Sequence, residues 1–437
     1  MEEDRESLDR VRHDGSHLVG RPLASVRPAD PEDVVRLVAW ARATRTPLVP
    51  RGAGTSLDGE STPADGAVVC DLSGWGRVLE VSADELWARV EPGVVNFDLQ
   101  RHLAGDRLFF PPNPGSWTQA TIGGNVGTNA SGPRSFRYGS TRAWVREVRA
   151  VLGTGATVRL GTKAAKRSVG PDLLSMFVGS EGTLGIATEV TVRLAPVPAI
   201  RRGLVVPVPE GVRLGPLAGR LARTPGTGLS AVEYLDQGCA SALASGRRSF
   251  GARGSAALLL EVEADDEPSA TRRVDRVRAS LREAGVPGAL EEFPDSDELW
   301  TLRGESSVVL DERFGHRIRE DVAVPLGRVD ALLAEVERIA RTEDVPLYLF
   351  AHLGEGSLHP NFVVDPTTPA AERIRAALLA AALGLDGTIS AEHGVGRLKV
   401  PYLAAELGPE GIRLLHAVKR ACDPDGLLNP GKLYPPG

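Results

Sequence analysis

From Asp30 the chain sets apolar residues at helical spacing. Val34, Leu37, Val38 and Ala41 recur three or four apart and share one face. Asp30-Pro31-Glu32-Asp33 opens this helix with a capping Asp, a Pro in the first turn and acids at the positive end of the dipole. The pattern predicts its end near Thr46-Pro47, and an apolar strand, Leu48-Val49-Pro50, then runs into glycines. Residues 1–28 read as a polar lead-in. From the glycines to Pro196 the spacing predicts short strands at 67–71, 86–90, 148–152 and 187–194, separated by turn residues. Ala195-Pro196-Val197-Pro198 marks a domain boundary. Beyond it, 204–208, 257–262 and 322–326 read as strands. Helices are predicted near 270–284, 328–341 and 370–384. This order predicts an α+β domain, an antiparallel sheet with helices on one face.

Composition narrows the function. A length of 437 residues with 42% hydrophobic content supports two or three domains. The balance of 51 basic against 57 acidic residues offers no general polyanion surface, so no nucleic-acid partner is expected. Cys70, Cys239 and Cys422 lie far apart without a C-x-x-C, which argues against a cysteine-held metal or iron–sulfur site and suits a reducing cytoplasm. No apolar signal segment is visible at the N-terminus. The longest apolar run, 376–385, is too short to span a bilayer.

Three glycine-rich segments carry the first chemistry. Arg51-Gly52-Ala53-Gly54-Thr55-Ser56-Leu57 follows a strand, and its small residues let backbone N–H groups converge on an anion. It lacks the Gly-Lys-Ser/Thr of a Walker A loop and the third glycine of a Rossmann fingerprint. Taken alone, it is equally an ordinary tight turn. The second segment is Phe110-Pro111-Pro112-Asn113-Pro114-Gly115-Ser116 with Ala120-Thr121-Ile122-Gly123-Gly124-Asn125-Val126-Gly127-Thr128. It has little to give a core and many donors to give a narrow groove. The third is Val178-Gly179-Ser180-Glu181-Gly182-Thr183-Leu184-Gly185-Ile186.

In this order, the three segments resemble the FAD-binding half of the vanillyl-alcohol oxidase/p-cresol methylhydroxylase superfamily. The resemblance implies a two-lobed FAD-binding domain over 1–196. In it Arg51, Gly52, Ala53, Gly54, Thr55 and Ser56 would cradle the pyrophosphate. Pro112, Ser116, Thr121, Gly123, Gly124, Asn125 and Thr128 would line the flavin groove, with Gly182, Gly185 and Ile186 beside the nucleotide. Some relatives bind flavin covalently through a His in the first loop. Thr55-Ser56 stand here, so non-covalent FAD is expected. Pro171 replaces a Tyr usual in relatives, and no role is carried over there.

The second constellation lies near the C-terminus. Tyr348-Leu349-Phe350-Ala351-His352 reads as a strand and Gly354-Glu355-Gly356 as a turn, with Ser357-Leu358-His359-Pro360-Asn361-Phe362 beyond it. Such a hairpin sets His352 beside His359, and Ala391-Glu392-His393-Gly394 adds two more candidates. Two imidazoles and a carboxylate suit a divalent metal with open positions. By spacing alone, a metal site and separate polar loop residues stand equal.

His-x-Gly-acid-Gly-x-x-His followed by Ala-Glu-His-Gly resembles the D-2-hydroxy-acid dehydrogenase branch of that superfamily. The resemblance implies that His352, His359 and Glu392 bind a divalent metal, usually zinc. His393 would be the general base and Asn361 would orient the substrate. Arg303 would hold the substrate carboxylate, with Arg319 assisting where relatives often have Lys, and Asn429 would lie near the flavin. The implied domains are a substrate (cap) domain over 197–385 and a C-terminal segment over 386–437 that completes the active site and packs back on the FAD domain. The implied reaction is oxidation of a D-2-hydroxy acid of the lactate, glycolate or 2-hydroxyglutarate type, with metal-assisted binding and hydride transfer to flavin N5. Glu355 and Ser357 depart from the usual Asp and Asn. Together with Arg319 they keep open a superfamily oxidase acting on another alcohol, and the His/His/Glu set alone would also suit a metallohydrolase. The electron acceptor (a quinone, an electron-transferring flavoprotein, an iron–sulfur partner subunit or oxygen) and the oligomeric state are not legible. A cytoplasmic location follows, with peripheral membrane association left open.

Overall fold

A computed structural model describes residues 5–244, 254–287 and 290–435. By packing, the chain forms two units. One comprises residues up to Gly132, Gly139–Val197 and Glu392 onward; the other comprises Pro133–Tyr138 and Pro198–Ala391. The mixed helix-and-sheet class predicted from sequence is the one observed.

In the first unit the helix Pro31–Thr44 starts where its cap predicts. Asp30 accepts from the Asp33 N–H, and Val34, Leu37, Val38 and Ala41 are buried. It ends at Thr44, before Pro47, with Arg45 in a left-handed turn. The helix packs on a parallel sheet in which Val68–Asp71 lies between Ala24–Val26 and Leu48–Arg51. The lead-in is therefore more than polar: Ala24–Val26 is a strand and Arg5–Val11 a helix. A second sheet of five antiparallel strands holds Gly185–Arg193 between Trp87–Val90 and Val145–Leu152. The C-terminal region forms a helix, Leu403–Cys422, whose Pro409 and left-handed Gly408 mark a kink that hides it from a simple apolar pattern. Leu428 pairs with Leu48 and joins the core beneath that strand.

The second unit is built on an eight-stranded antiparallel sheet. An interior strand, Ala256–Ala264, is buried along nearly its whole length. Ala257 and Leu259 pack with the helices Gln237–Ala244 and Ser296–Phe314. Leu258, Leu260 and Val262 point the other way and are also fully buried, and the helix Glu267–Glu283 packs on the same strand. The expected one-sided sheet is corrected: a continuous Ala-Ala-Leu-Leu-Leu run is what a strand covered on both faces requires. The predicted strand at 322–326 shrinks to Val322–Ala323. Pro325 ends it and a 3₁₀ turn, Leu326–Arg328, follows.

Candidate active site

In the first unit the 51–57 loop leaves the end of a parallel strand, where open sheets present backbone to ligands. The Arg51 side chain is buried and folds back over the loop, bonding the Ser61 carbonyl at 3.4 Å. Gly54 has φ +74°, where a residue with a Cβ is strained, and a Cβ there would also push the Arg51 guanidinium aside. Gly52, Thr55 and Ser56 are half-buried and Ala53 is exposed. Thr121 caps the turn of helix at Ile122–Thr128 and accepts from Gly124 N–H at 3.2 Å. Gly123 lies so close to Pro92 that a Cβ would sit 2.6 Å from that ring. Pro112 is buried and its carbonyl accepts from Asn96, Ser116 heads a turn, and Thr128 bonds back to the Gly124 carbonyl at 3.3 Å. Asn125 is buried with its amide nitrogen unpaired among the described residues. A donor in that state fits the polar edge of a bound heteroaromatic ring.

Gly182 has φ +69° and packs on Pro50. Gly185 begins a strand, and Ile186 spends its side chain in the core with Leu48, Cys70 and Val151, so only its backbone is left for a nucleotide. Asn429 is buried and donates to the carbonyls of Glu60 (2.8 Å) and Glu181 (2.7 Å). It ties the C-terminal tail to those loops.

Glu392 and His393 are the first residues of the chain's return to this unit. The backbone after His393 is held from below: Glu181 accepts from Val395 N–H (2.7 Å) and Gly396 N–H (3.0 Å). Asp58 is buried, pairs with the buried Lys399 at 3.1 Å, and has a carboxylate oxygen within 4.8 Å of a His393 ring nitrogen. Burial, then the nearby Glu181, raises the Glu60 carboxyl well above its ordinary range, and burial pushes Glu181 up to about 7. Burial also brings Lys432 down to about 8 while its ammonium donates to Thr62 O and Asn429.

In the second unit the hairpin Leu347–His352 and Ser357–Phe362 pairs Phe350 with His359 and His352 with Ser357. That register puts Tyr348, Phe350 and His352 on one face together with Ser357, His359 and Asn361. The His352 and His359 rings meet edge to face at 4.8 Å and offer ring nitrogens within 4.8 Å of each other. His352 Nδ1 lies 2.6 Å from Glu233, a fully buried acid on the strand Leu229–Leu235. Arg303, on the helix Ser296–Phe314, donates to the same carboxylate at 3.3 Å and lies 4.4 Å over the Phe350 ring.

Asn361 donates to the His359 carbonyl at 2.8 Å and accepts from Arg317. Arg317 and Arg319 both reach Asp311 at 3.0 Å. Arg317 is therefore the arginine on Asn361, whereas Arg319 is held by Asp311. Glu355, in the hairpin turn, accepts from Ser135 of the 133–138 excursion, and Ser357 is buried beside His352 in the ladder. The same excursion is anchored by a two-point Arg134–Glu261 pair at 2.9 Å. Asp236, raised to about 6 by burial, accepts from Cys239 N–H and Leu349 N–H and fixes the edge of the hairpin strand.

The second unit thus brings His352, His359 and Asn361 onto one sheet face, which Arg303 reaches from a helix. Sequence reasoning missed Glu233, Asp311 and Arg317 there, and Asp58 and Glu181 in the first unit. One signal was available: Glu233, Glu261 and Glu263 interrupt strands that are otherwise apolar, and an acid inside such a strand needs a partner.

Comparison with known proteins agrees with these observations. Residues 197–433 match the family described as FAD linked oxidases, C-terminal domain, and residues 22–161 match the FAD binding domain. The chain is 33% identical over 427 residues to the glycolate oxidase subunit GlcD of Bacillus subtilis (strain 168), covering 94% of this chain and 89% of that protein. It is 32% identical over 445 residues to the D-2-hydroxyglutarate dehydrogenase of Stutzerimonas stutzeri (strain A1501), covering 99% and 95%. Among solved structures, p-cresol methylhydroxylase with substrate bound shares the fold, with a TM-score of 0.84 at 17% identity over 98% of this chain and 93% of that one. A glycine-lined half and a histidine-bearing half, each matched along its own length, place the chain in the family of FAD-linked oxidases.

Proposed function

We propose that the protein oxidises a D-2-hydroxy acid to the 2-oxo acid, using FAD held without a covalent bond and a divalent metal, zinc by preference. The observation that carries this reading is the buried His352–His359 pair on one sheet face, which Arg303 reaches from a helix. The relatives' names, glycolate oxidase and D-2-hydroxyglutarate dehydrogenase, support the substrate class. Two imidazoles with Glu392 make a donor set that fits zinc or a neighbouring divalent ion. The Asn125 amide nitrogen, without a partner among the described residues, and the Gly54 turn fit FAD. When bound, FAD supplies the two-electron acceptor and the metal a Lewis acid for the substrate oxygens.

The chain's own residues divide the remaining work. Arg303 binds the substrate carboxylate, for which its planar fork is suited. Asn361, held by Arg317 and by the His359 carbonyl, orients the substrate from the same strand as His359. His393 takes the proton of the 2-hydroxyl as general base. Its loop is kept in place by the Glu181 bonds to Val395 and Gly396, and Asp58 lies beside its ring. Arg319, bound by Asp311, assists through its charge rather than by direct reach. Glycolate, lactate and 2-hydroxyglutarate types all stay within this class. The electron acceptor is a quinone, an electron-transferring flavoprotein, an iron–sulfur partner or oxygen. No helix among the described residues is long and apolar enough to cross a membrane.

The test is anaerobic. The purified protein receives D- and L-lactate, glycolate, D-2-hydroxyglutarate and longer D-2-hydroxy acids one at a time, with and without zinc. Bleaching of the flavin band near ~450 nm by a D-acid supports the reading. A yellow protein that no 2-hydroxy acid bleaches sinks it and leaves oxidation of another alcohol.

A further inference from the structure

We propose that Glu233 is a positioning residue that sets both the metal-binding nitrogen of His352 and the direction of Arg303. This rests on the reading above, in which His352 is a metal ligand and Arg303 holds substrate.

Glu233 sits mid-strand in Leu229–Leu235, on the same sheet face as Leu235, and its side chain is fully buried. One carboxylate oxygen meets His352 Nδ1 at 2.6 Å and the other accepts from Arg303 Nε at 3.3 Å. A carboxylate buried this deeply needs hydrogen-bonded partners, and His352 Nδ1 and Arg303 Nε supply them. With Nδ1 committed to Glu233, Nε2 is the nitrogen turned to a metal.

The same acid restricts Arg303. With Nε committed to Glu233 and Nη1 donating to Ser306 Oγ at 3.0 Å, the guanidinium carbon stands 4.4 Å over the Phe350 ring. Phe350 in turn stands 5.4 Å from His359, its cross-strand neighbour. Glu233 thus couples the two functions through one rigid group. An outer carboxylate that orients a metal-binding histidine typically changes metal affinity by about 10–100-fold when altered.

Glu233→Gln keeps the shape, removes the charge and weakens the acceptor. Zinc affinity is measured on the purified flavoprotein by competition with a chromogenic chelator, beside flavin content, melting temperature, and KM and kcat for the hydroxy acid that bleaches the wild type. The expected result is a zinc dissociation constant raised about 10–100-fold and a raised KM, with flavin content unchanged. If Glu233→Gln does not fold, Glu233→Asp keeps the charge, shortens the arm and serves the same comparison. A wild type that binds zinc, with variants of equal zinc affinity, overturns this proposal and leaves the metal reading standing. A loss of melting temperature alone, at unchanged zinc affinity, gives Glu233 a merely structural role and also overturns it. A wild type that binds no zinc overturns both.

Discussion

The two units offer chemistry from different materials. The first works largely through main chain and small side chains: Gly54 with φ +74°, Gly182 with φ +69°, and backbone N–H groups held by Glu181. The second offers imidazole and carboxylate groups fixed on one sheet face by register, with the Arg303 guanidinium reaching that face from a helix. The difference teaches what each part tolerates. A loop of close approaches fails when a Cβ is added. A strand face fails when a side chain is removed or the register slips by one residue, which turns every group to the other side.

His393 tests this contrast hardest: with Glu392 and the buried Asp58, Glu60 and Glu181, it is a titratable side chain on the glycine-rich unit. His393→Ala keeps its flavin, and its anaerobic reduction by the substrate acid slows about 10²–10⁴-fold, the range of a lost general base. Reduction at the wild-type rate in stopped flow removes the base assignment.

His359→Ala addresses the strand face. Zinc content by elemental analysis falls from about one per chain toward background, while flavin content holds. Equal zinc in variant and wild type shows that the histidine pair is not a ligand set.

Gly54→Val addresses the loop. Strain of about 1–3 kcal/mol at a left-handed position, together with the overlap with Arg51, weakens FAD retention on gel filtration. Zinc binding is expected to persist, so loss of both together would break the contrast between the units.

The smallest effect is a pH slope. Burial lifts Glu181 from its ordinary 4.5 to about 7, so between those values the folded chain holds a proton that the unfolded chain has released. That contribution to stability is complete below the unfolded value and is lost as pH rises through about 7. Glu60, raised in the same direction, adds to it. The melting temperature of the wild type should decline from about pH 5 to 8, and Glu181→Gln should flatten the decline. An unchanged slope assigns it to other groups.

Elements were legible where one interaction dominates. The Asp30 cap and the Val34, Leu37, Val38, Ala41 stripe predict a helix because local bonds and a single apolar face decide it. The His352–His359 hairpin was legible because a tight Gly turn between two short strands leaves few alternatives. Ala24–Val26 was missed because three residues carry no period, and only the neighbouring parallel strand makes them β. Leu403–Cys422 was missed because Gly408 and Pro409 interrupt it. For the candidate site, Arg303 and Arg319 came from resemblance. Arg317, Asp311 and Glu233 had no motif, since their partners lie 6 to 119 positions away.

Residue type and short spacing, which act within a few residues, settled the local matters: where glycines permit backbone to approach a ligand, where helices begin and which strand pair carries histidines. The family of FAD-linked oxidases was legible by resemblance of whole motifs. Only the tertiary structure decided that a buried acid on Leu229–Leu235 would hold His352 and Arg303 together, and that Arg317 rather than Arg319 would reach Asn361. Such partners are chosen by sheet register and by the cost of leaving a buried charge unmatched, and neither is written at any one position of the chain.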